Sequence, residues 1–281
     1  MTTRTIAKKP YRAIILSAGQ GSRLLPHTEQ TPKCLLPLGG RSMLAWQLHA
    51  LAEAGVREAV VVTGFRDDLV QRELERHTPR GLSVRTLFNP FYKLADNLAS
   101  CWMARDAMDA PFLILNGDTL IEPGIAARLL AAPAAPITVT IDRKAGYDAD
   151  DMKVSTQASS AQAGRSERLT AIGKTLAAAE VTGESIGFLR FDAEGAARFV
   201  AELERTMRTP EGPKLWYLSA IDRLARAGLE VRVASIEGLE WAELDFPADL
   251  VRCRAIAAGW SAQGEGLLEG KGEPGLAGVG G

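Results

Sequence analysis

From Arg12 onward the chain alternates short apolar runs with stretches of helical period, and this alternation narrows the possible folds more than any other feature. Runs rich in Val, Ile, Leu and Phe at 13–17, 59–63, 84–88, 112–115 and 137–141 read as strands. Between them lie amphipathic segments. One opens at Ser42, carries Met43, Trp46, Leu48 and Leu51, and stops at Gly55; another begins at Asp67 and Asp68 with Leu69, Val70 and Leu74 on one side. Two more span 97–108 and 123–131. Strand, helix and strand in regular succession predict a parallel sheet covered on both faces, so the first half is expected to be a Rossmann-like three-layer α/β/α, mostly parallel sheet.

After residue 141 the pattern changes. Strands at 152–155, 169–173 and 185–191 are separated by small polar residues, which predicts a smaller mixed-sheet lobe attached to the first half. Two amphipathic helices follow at 193–207 and 215–227, then a strand at 231–235 and a last helix from Pro247, where proline suits the first turn. Nine of the 23 residues from Gly259 to Gly281 are glycine, so this stretch is expected to be a disordered tail. The expected organisation is an N-terminal extension at 1–11, one catalytic domain at 12–258 with halves at 12–141 and 142–258, and the tail at 259–281.

Charge and composition exclude several functions. Lys and Arg number 33 against 34 Asp and Glu, without a like-charged run, so no polynucleotide is expected as a partner. Cys34, Cys101 and Cys253 are widely spaced and lack a C-x-x-C pair, which argues against a disulfide framework or a zinc site and for a cytoplasmic setting. The apolar run behind the basic N-terminus is too short for a signal sequence or a membrane span, so no membrane partner is expected. The 183–187 stretch fits G-x-S-x-G, but His27, His49 and His77 all lie upstream of Ser185, which defeats the order required of an α/β-hydrolase.

The informative stretch runs Leu16, Ser17, Ala18, Gly19, Gln20, Gly21, Ser22, Arg23, followed by Thr31, Pro32 and Lys33. It begins where the first strand ends, at the edge where open α/β sheets bind ligands. Small residues let backbone N–H groups approach a polyphosphate, and Ser22 adds a hydroxyl donor. Arg23 offers a planar fork to outer phosphates and Lys33 a mobile point charge. The spacing matches neither a P-loop nor the dinucleotide fingerprint.

The string L-x-A-G-x-G-S-R-L-x-P with P-K-x-L behind it resembles the signature of the nucleoside-triphosphate transferases that make NDP-sugars and CDP-alcohols. The resemblance extends from Arg12 to about Ile256. It implies Mg²⁺ as cofactor, with Asp118 of Leu115-Asn-Gly-Asp118 as one ligand; an Asx-turn is the alternative role for that aspartate. Glu240-Trp241-Ala-Glu243-Leu-Asp245 resembles the W-x-E-[IL]-D pattern of cytidylyltransferase-like members, which implies Asp245 as the second ligand. Asp245 is equally placed to cap the helix from Pro247.

Within the family, Leu94-Ala-Asp96-Asn97-Leu-Ala-Ser100 resembles the segment of bacterial phosphocholine cytidylyltransferases and of their inositol-phosphate and aminoalkylphosphonate relatives. That makes CTP the expected nucleotide, with Asn97 and Ser100 reading the base, or Asn97 serving as a helix N-cap. Lys174, with Lys153 as its competitor, is expected on the acceptor phosphate. Trp216, Tyr217 and Trp241 are expected to form a cage for a cation, with Glu184, Glu243 or the Asp150 and Asp151 pair as counter-charge; aromatic core is the other role open to these rings. Asp150-Asp151-Met152 stands where the phosphocholine pattern implies an aromatic residue, a departure that leaves aminoethylphosphonate and inositol phosphate open. A sugar-1-phosphate nucleotidyltransferase using UTP, dTTP or GTP is the alternative enzyme, and a nucleotide-sensing protein the alternative without catalysis. Both a monomer and a homodimer are compatible with the sequence.

Overall fold

The computed structural model describes residues 11–158 and 167–269. Its first half runs β1 (Arg12–Leu16), β2 (Pro37–Leu38), β3 (Arg41–Ser42), α1 (Met43–Glu53), β4 (Glu58–Thr63), α2 (Asp67–His77), β5 (Ser83–Phe88), α3 (Asn97–Met103), β6 (Phe112–Asn116), β7 (Thr119–Ile121), α4 (Pro123–Ala131) and β8 (Ile137–Asp142). The second half adds β9 (Lys153–Ala158), β10 (Glu167–Gly173), β11 (Gly183–Phe191), α5 (Ala193–Met207), α6 (Leu218–Arg226), β12 (Val231–Ser235), β13 (Trp241–Glu243) and α7 (Pro247–Glu269).

Nine strands form one sheet in the order β5-β4-β1-β6-β11-β8-β12-β10-β9. The strands from β5 to β6 are parallel, as expected; β11 then runs antiparallel to both β6 and β8. The mixed strands therefore do not build a separate sheet but extend the first, because β11 inserts at its centre. Every residue of β11 is buried, which fits a strand covered on both faces. Helices lie on both sides. Leu44 and Leu48 of α1, Val70 of α2 and Ile125 of α4 pack on one face, while Leu98 of α3, Phe199 of α5 and Ile221 of α6 pack on the other.

The chain leaves β1 toward β4 on one side and returns to β6 on the other, so the C-terminal end of β1 is the topological switch point where such sheets hold ligands. Local capping agrees with the sequence at α1, where Ser42 Oγ accepts from the Ala45 N–H at 3.0 Å.

Four expectations need correction. The helix expected at 97–108 ends at Met103 and continues only as a 3-10 turn at Arg105–Ala107. The helix expected from 215 starts at Leu218, because the backbone of 215–217 is used to bind α3: Leu98 N donates to Leu215 O at 3.2 Å and Tyr217 N to Asn97 Oδ1 at 2.9 Å. The short strands β7 and β13, absent from the sequence reading, pair antiparallel. The tail expected from 259 instead continues α7 to Glu269, where Trp260 packs edge-on against Trp46 with ring centroids 5.6 Å apart and donates to Glu240 at 3.1 Å. The partly buried Trp260 ring, packed on the core, offsets the glycine-rich composition there. The remainder of that expected tail lies outside the described residues, as do residues 1–10 of the expected extension. Among the described residues no helix is long and apolar enough to cross a membrane.

Candidate functional site

The loop after β1 is stitched to its neighbours by backbone hydrogen bonds, with Ser17 N donating to Val62 O, Phe65 N to Ala18 O and Gly117 N to Leu16 O. These bonds open a cleft of about 240 Å³ lined by Leu16, Ala18, Gly19, Gly21, Lys33, Tyr92, Asp96, Asn97, Ser100, Asn116 and Asp118 among others. Gly21 is required twice over: its φ is +80°, and a Cβ there would stand 2.9 Å from the Lys33 side chain. Thr28 Oγ1 donates to Gly21 O at 2.7 Å and fixes the turn. Ser22, expected on the phosphates, is exposed and lies off the cleft wall. Cys34 lines the cleft, but burial pushes its thiol up to about 12, so it supplies no thiolate near neutral pH.

Pairing of β7 with β13 sets Glu243 opposite Thr119 and lets Leu244 N donate to Asp118 O at 3.0 Å. Two segments more than a hundred residues apart in the chain thus present Asp118, Glu243 and Asp245 together, with one oxygen of each within 4.8 Å of the others. Lys33 Nζ bridges the aspartates at 2.7 Å each. Burial alone would lower the lysine's pKa, but the charges of Asp118 and Asp245 overcome it and raise it well above the usual value. The same cation, with Arg23, draws the Asp245 carboxyl below the usual range against the effect of burial. Glu243, at the mouth of the site, is pushed up to about 8, first by loss of hydration and then by Asp118 and Asp245.

This cluster fits a hard divalent cation. The donors are all carboxylate oxygens, and Asp118 Oδ1 is buried without any hydrogen-bond partner. Glu243, expected as counter-charge for the acceptor, instead joins the two aspartates; the i, i+2 spacing in Glu243-Leu-Asp245, at the end of β13, is the signal that could have found it, since a locally extended chain turns such residues to one side. Asp245 does not cap α7: the N–H groups of Asp245 and Phe246 donate to Asp249 Oδ2, which frees the Asp245 carboxylate for the cations.

A second cavity, of about 170 Å³, shares Lys33, Asn97, Asn116 and Asp118 with the first and adds Arg23, Asp150, Lys174, Glu184, Ser185, Trp216, Glu243 and Asp245. Arg23 reaches Asp245 at 3.1 Å and Asp150 at 3.7 Å, and Asp150 also holds Lys174 at 3.2 Å. Lys174 Nζ lies 4.7 Å from the centre of the Trp216 ring. Glu184 pairs with Lys144 at 2.9 Å; burial raises its carboxyl to about 7, with Lys144 opposing and Asp151 reinforcing the shift. Asn116, which the sequence reading passed over, lines both cavities with its Oδ1 unpartnered, and Gly187 makes room for it at a φ of +71°.

Other expected residues are used elsewhere. Lys153 is buried, and its Nζ donates to the carbonyls of Asp148, Asp151 and Lys174, so it organises the loop before β9, and of these two lysines Lys174 is the one on the cavity wall. The aromatic cage does not form. Tyr217 is fully buried, edge-on to Phe199 at 6.4 Å, while Trp241 donates to Asp142 at 2.8 Å and lies off both walls. Only Trp216 faces the cavity. Ser100 is buried and accepts from Asn89 Nδ2 at 3.1 Å, and Asn97 Oδ1 is engaged by Tyr217 N.

Residues 13–149 match the MobA-like NTP transferase domain. The chain is 35% identical over 250 residues to a CMP-5'-(3-aminopropyl)phosphonate synthase of Streptomyces rubellomurinus, a match that takes in 85% of this chain and 38% of that protein. This chain thus spans little more than a third of that relative's length. Its fold is similar to the inositol-1-phosphate CTP transferase of T. maritima, with a TM-score of 0.72, 19% identity, and coverage of 89% of this chain and 96% of the other. It is also similar to the CTP:phosphocholine cytidylyltransferase of Streptococcus pneumoniae, with a TM-score of 0.66, 19% identity, and coverage of 88% and 99%.

Proposed function

We propose, for a chain whose residues 13–149 are a MobA-like NTP transferase domain, that it is a cytidylyltransferase, joining CTP to a small phosphomonoester or phosphonate with release of pyrophosphate. The observation that carries this reading is the shared wall. A cleft over the glycine-rich loop and a cavity lined by Arg23 and Lys174 meet at Lys33, Asn116 and Asp118, where one substrate can reach the other. The name of the Streptomyces relative favours a phosphonate acceptor, and the lack of an aromatic cage favours an acceptor without a quaternary ammonium.

The chemistry is in-line attack by an acceptor oxygen on the α-phosphorus, and such a transfer needs alignment and neutralisation of charge more than a side-chain nucleophile. Backbone N–H groups of the loop hold the triphosphate over Gly19 and Gly21. Lys33 neutralises the crowded anions, and Arg23 stabilises the departing pyrophosphate. Lys174 orients the acceptor's phosphoryl group. No general base is required, because the acceptor oxygen is already anionic near neutral pH. Mg²⁺, held by Asp118 and Asp245 with Glu243, would supply further charge neutralisation at the phosphates. A cytoplasmic setting accords with three free, buried cysteines.

The test is pyrophosphate release with Mg²⁺, crossing CTP, UTP, GTP and dTTP against aminoethylphosphonate, phosphocholine, inositol 1-phosphate and glucose 1-phosphate. Turnover with CTP and a phosphonate or phosphomonoester, lost in Asp118→Ala, is the expected result. Preference for UTP or dTTP with the sugar phosphate moves the protein to sugar-nucleotide synthesis, and no turnover with any pair overturns the enzymatic reading.

A further inference from the structure

The turn that carries Asp118 is gripped from several sides. Gly117 N donates to Leu16 O and Leu244 N to Asp118 O, each at 3.0 Å, and Thr119 Oγ1 donates to Ile186 O at 3.1 Å. A further hold comes from a side chain of α1. Gln47 Nε2 donates to Asn116 O at 2.7 Å and to Thr119 O at 2.8 Å, so one amide spans the turn from end to end.

Gln47 is out of place by the rules that fill a core. It is fully buried in the middle of a helix whose neighbouring Leu44, Ala45, Trp46 and Leu48 are apolar and buried. Among the described residues its Oε1 has no hydrogen-bond partner. A buried amide oxygen left unpaired costs stability that leucine or methionine at the same place would not. Both partners of the Nε2 are carbonyls, which only a donor can satisfy. The packing of α1 therefore does not account for a glutamine here, and the two carbonyls do.

The same helix reaches the other side of the cluster. Met43 N, at the start of α1, donates to Leu36 O at 3.3 Å, three residues after Lys33. One helical turn further on, Gln47 holds the turn of Asp118. α1 thus ties together the two segments whose charges meet at 2.7 Å, between Lys33 and Asp118.

Resting on the reading of Asp118 as a metal ligand in a cytidylyltransferase, we propose that Gln47 is a positioning residue for the carboxylate cluster. By closing the 116–119 turn it fixes where Asp118 meets Lys33 and a divalent cation, and where Asn116 stands between the two cavities. It touches no substrate and acts through the turn. A group that orients a metal ligand from behind commonly governs affinity or rate by about 10- to 100-fold. A displacement of about 1 Å at the reacting groups has a similar effect on rate.

The test uses two variants of the full chain. Gln47→Met keeps the volume and drops the donor; Gln47→Asn keeps the donor but is one methylene too short to hold both carbonyls. Two properties are measured: the dissociation constant for Mn²⁺ without nucleotide, by titration calorimetry, and kcat and KM with the preferred nucleotide and one acceptor at saturating Mg²⁺. In Gln47→Met, Mn²⁺ binding should weaken about tenfold and kcat should fall about 10- to 100-fold, with both KM values within about twofold and Gln47→Asn in between. A folded methionine variant that matches the unmodified protein in Mn²⁺ affinity and kcat overturns the proposal, as does a rise in both KM values with kcat unchanged. If Gln47→Met does not fold, Gln47→Asn decides: loss of Mn²⁺ affinity and kcat together supports the proposal, and neither changing overturns it. If the unmodified protein binds Mn²⁺ but prefers UTP or dTTP, the cytidylyltransferase reading fails and the variants still decide the role of Gln47. If it binds no Mn²⁺, the metal reading and the inference fall together.

Discussion

The two walls that meet at Lys33 are built by different means. The nucleotide side is mostly backbone and small residues, held by strand order and by hydrogen bonds such as Ser17 N to Val62 O. The acceptor side is made of long charged side chains already paired with one another: Arg23 with Asp150 and Asp245, Lys174 with Asp150, and Lys144 with Asp151 and Glu184. The first wall is ready for its ligand as it stands. The second must exchange internal partners for substrate, so its specificity depends on which ion pairs a ligand can replace.

The comparison breaks most severely at the seam. Lys33→Met removes the cation that Asp118 and Asp245 share and leaves three carboxylates crowded together. Turnover should fall by about 100- to 1000-fold. Stability should fall by about 3 kcal/mol, the scale for a buried ion pair that loses one member. Thermal melts with and without excess Mg²⁺ should show part of the stability restored by the ion while turnover stays low. Equal stability in the two melts would count against a metal on these carboxylates.

Gly21→Ala probes the nucleotide wall first, at the point where it touches Lys33. The left-handed backbone and the 2.9 Å approach to Lys33 predict a loss of about 1–2 kcal/mol, measured by urea denaturation. The nucleotide KM should separately rise about tenfold, the effect of roughly 1.4 kcal/mol of binding lost when the displaced loop presents its N–H groups poorly, while the acceptor KM changes less. An equal rise in both would mean that the walls are not independent.

The acceptor wall is sharpened by pH. The Glu184 carboxyl titrates near 7 in the folded protein, against about 4.5 when unfolded, first because burial disfavours its charge. The folded state therefore binds the extra proton between these values. The stability that this proton contributes is fully present below pH 4.5 and is lost as pH rises through 7. After discounting for partial solvation the change is about 1–2 kcal/mol. Glu184→Gln should flatten that slope, as read from denaturation midpoints at pH 5 and 8.

The smallest effect is expected at Tyr217, whose hydroxyl is buried without a partner. Tyr217→Phe should leave the acceptor KM unchanged and raise stability by up to about 1 kcal/mol, because no hydrogen bond is lost. A raised acceptor KM would return this ring to the binding site.

Much of the fold was legible in the chain because strand and helix periodicity are local. The positions of the first strands, the cap at Ser42 and the glycine-rich turn after β1 follow from residues within a few positions of each other. Asp118 and Asp245 of the carboxylate cluster were legible as well, but only through resemblance to a family motif. Legibility failed where distant segments compete for the same group. Tyr217 and Trp241 look like ligand residues through the family resemblance, yet core packing takes the first and Asp142 the second. Lys153 and Lys174 are indistinguishable as sequence, and burial among three carbonyls removes one of them from the site.

What the sequence determined by itself is the chemistry available at the end of β1: small residues, one arginine, one lysine, and carboxylates following a strand and preceding the last helix. What only the tertiary structure decided is which partners those groups keep. The pairing of β7 with β13 converts Glu243 from a surface acid into a third member of the carboxylate cluster. The stitching of α3 to residues 213–217 occupies Asn97, whose Oδ1 accepts from Tyr217 N. The physical reason is that a polar group's role is set by which donors, acceptors and charges lie within a few ångströms of it. Strand pairing over more than a hundred residues settles that distance, and no local pattern encodes it.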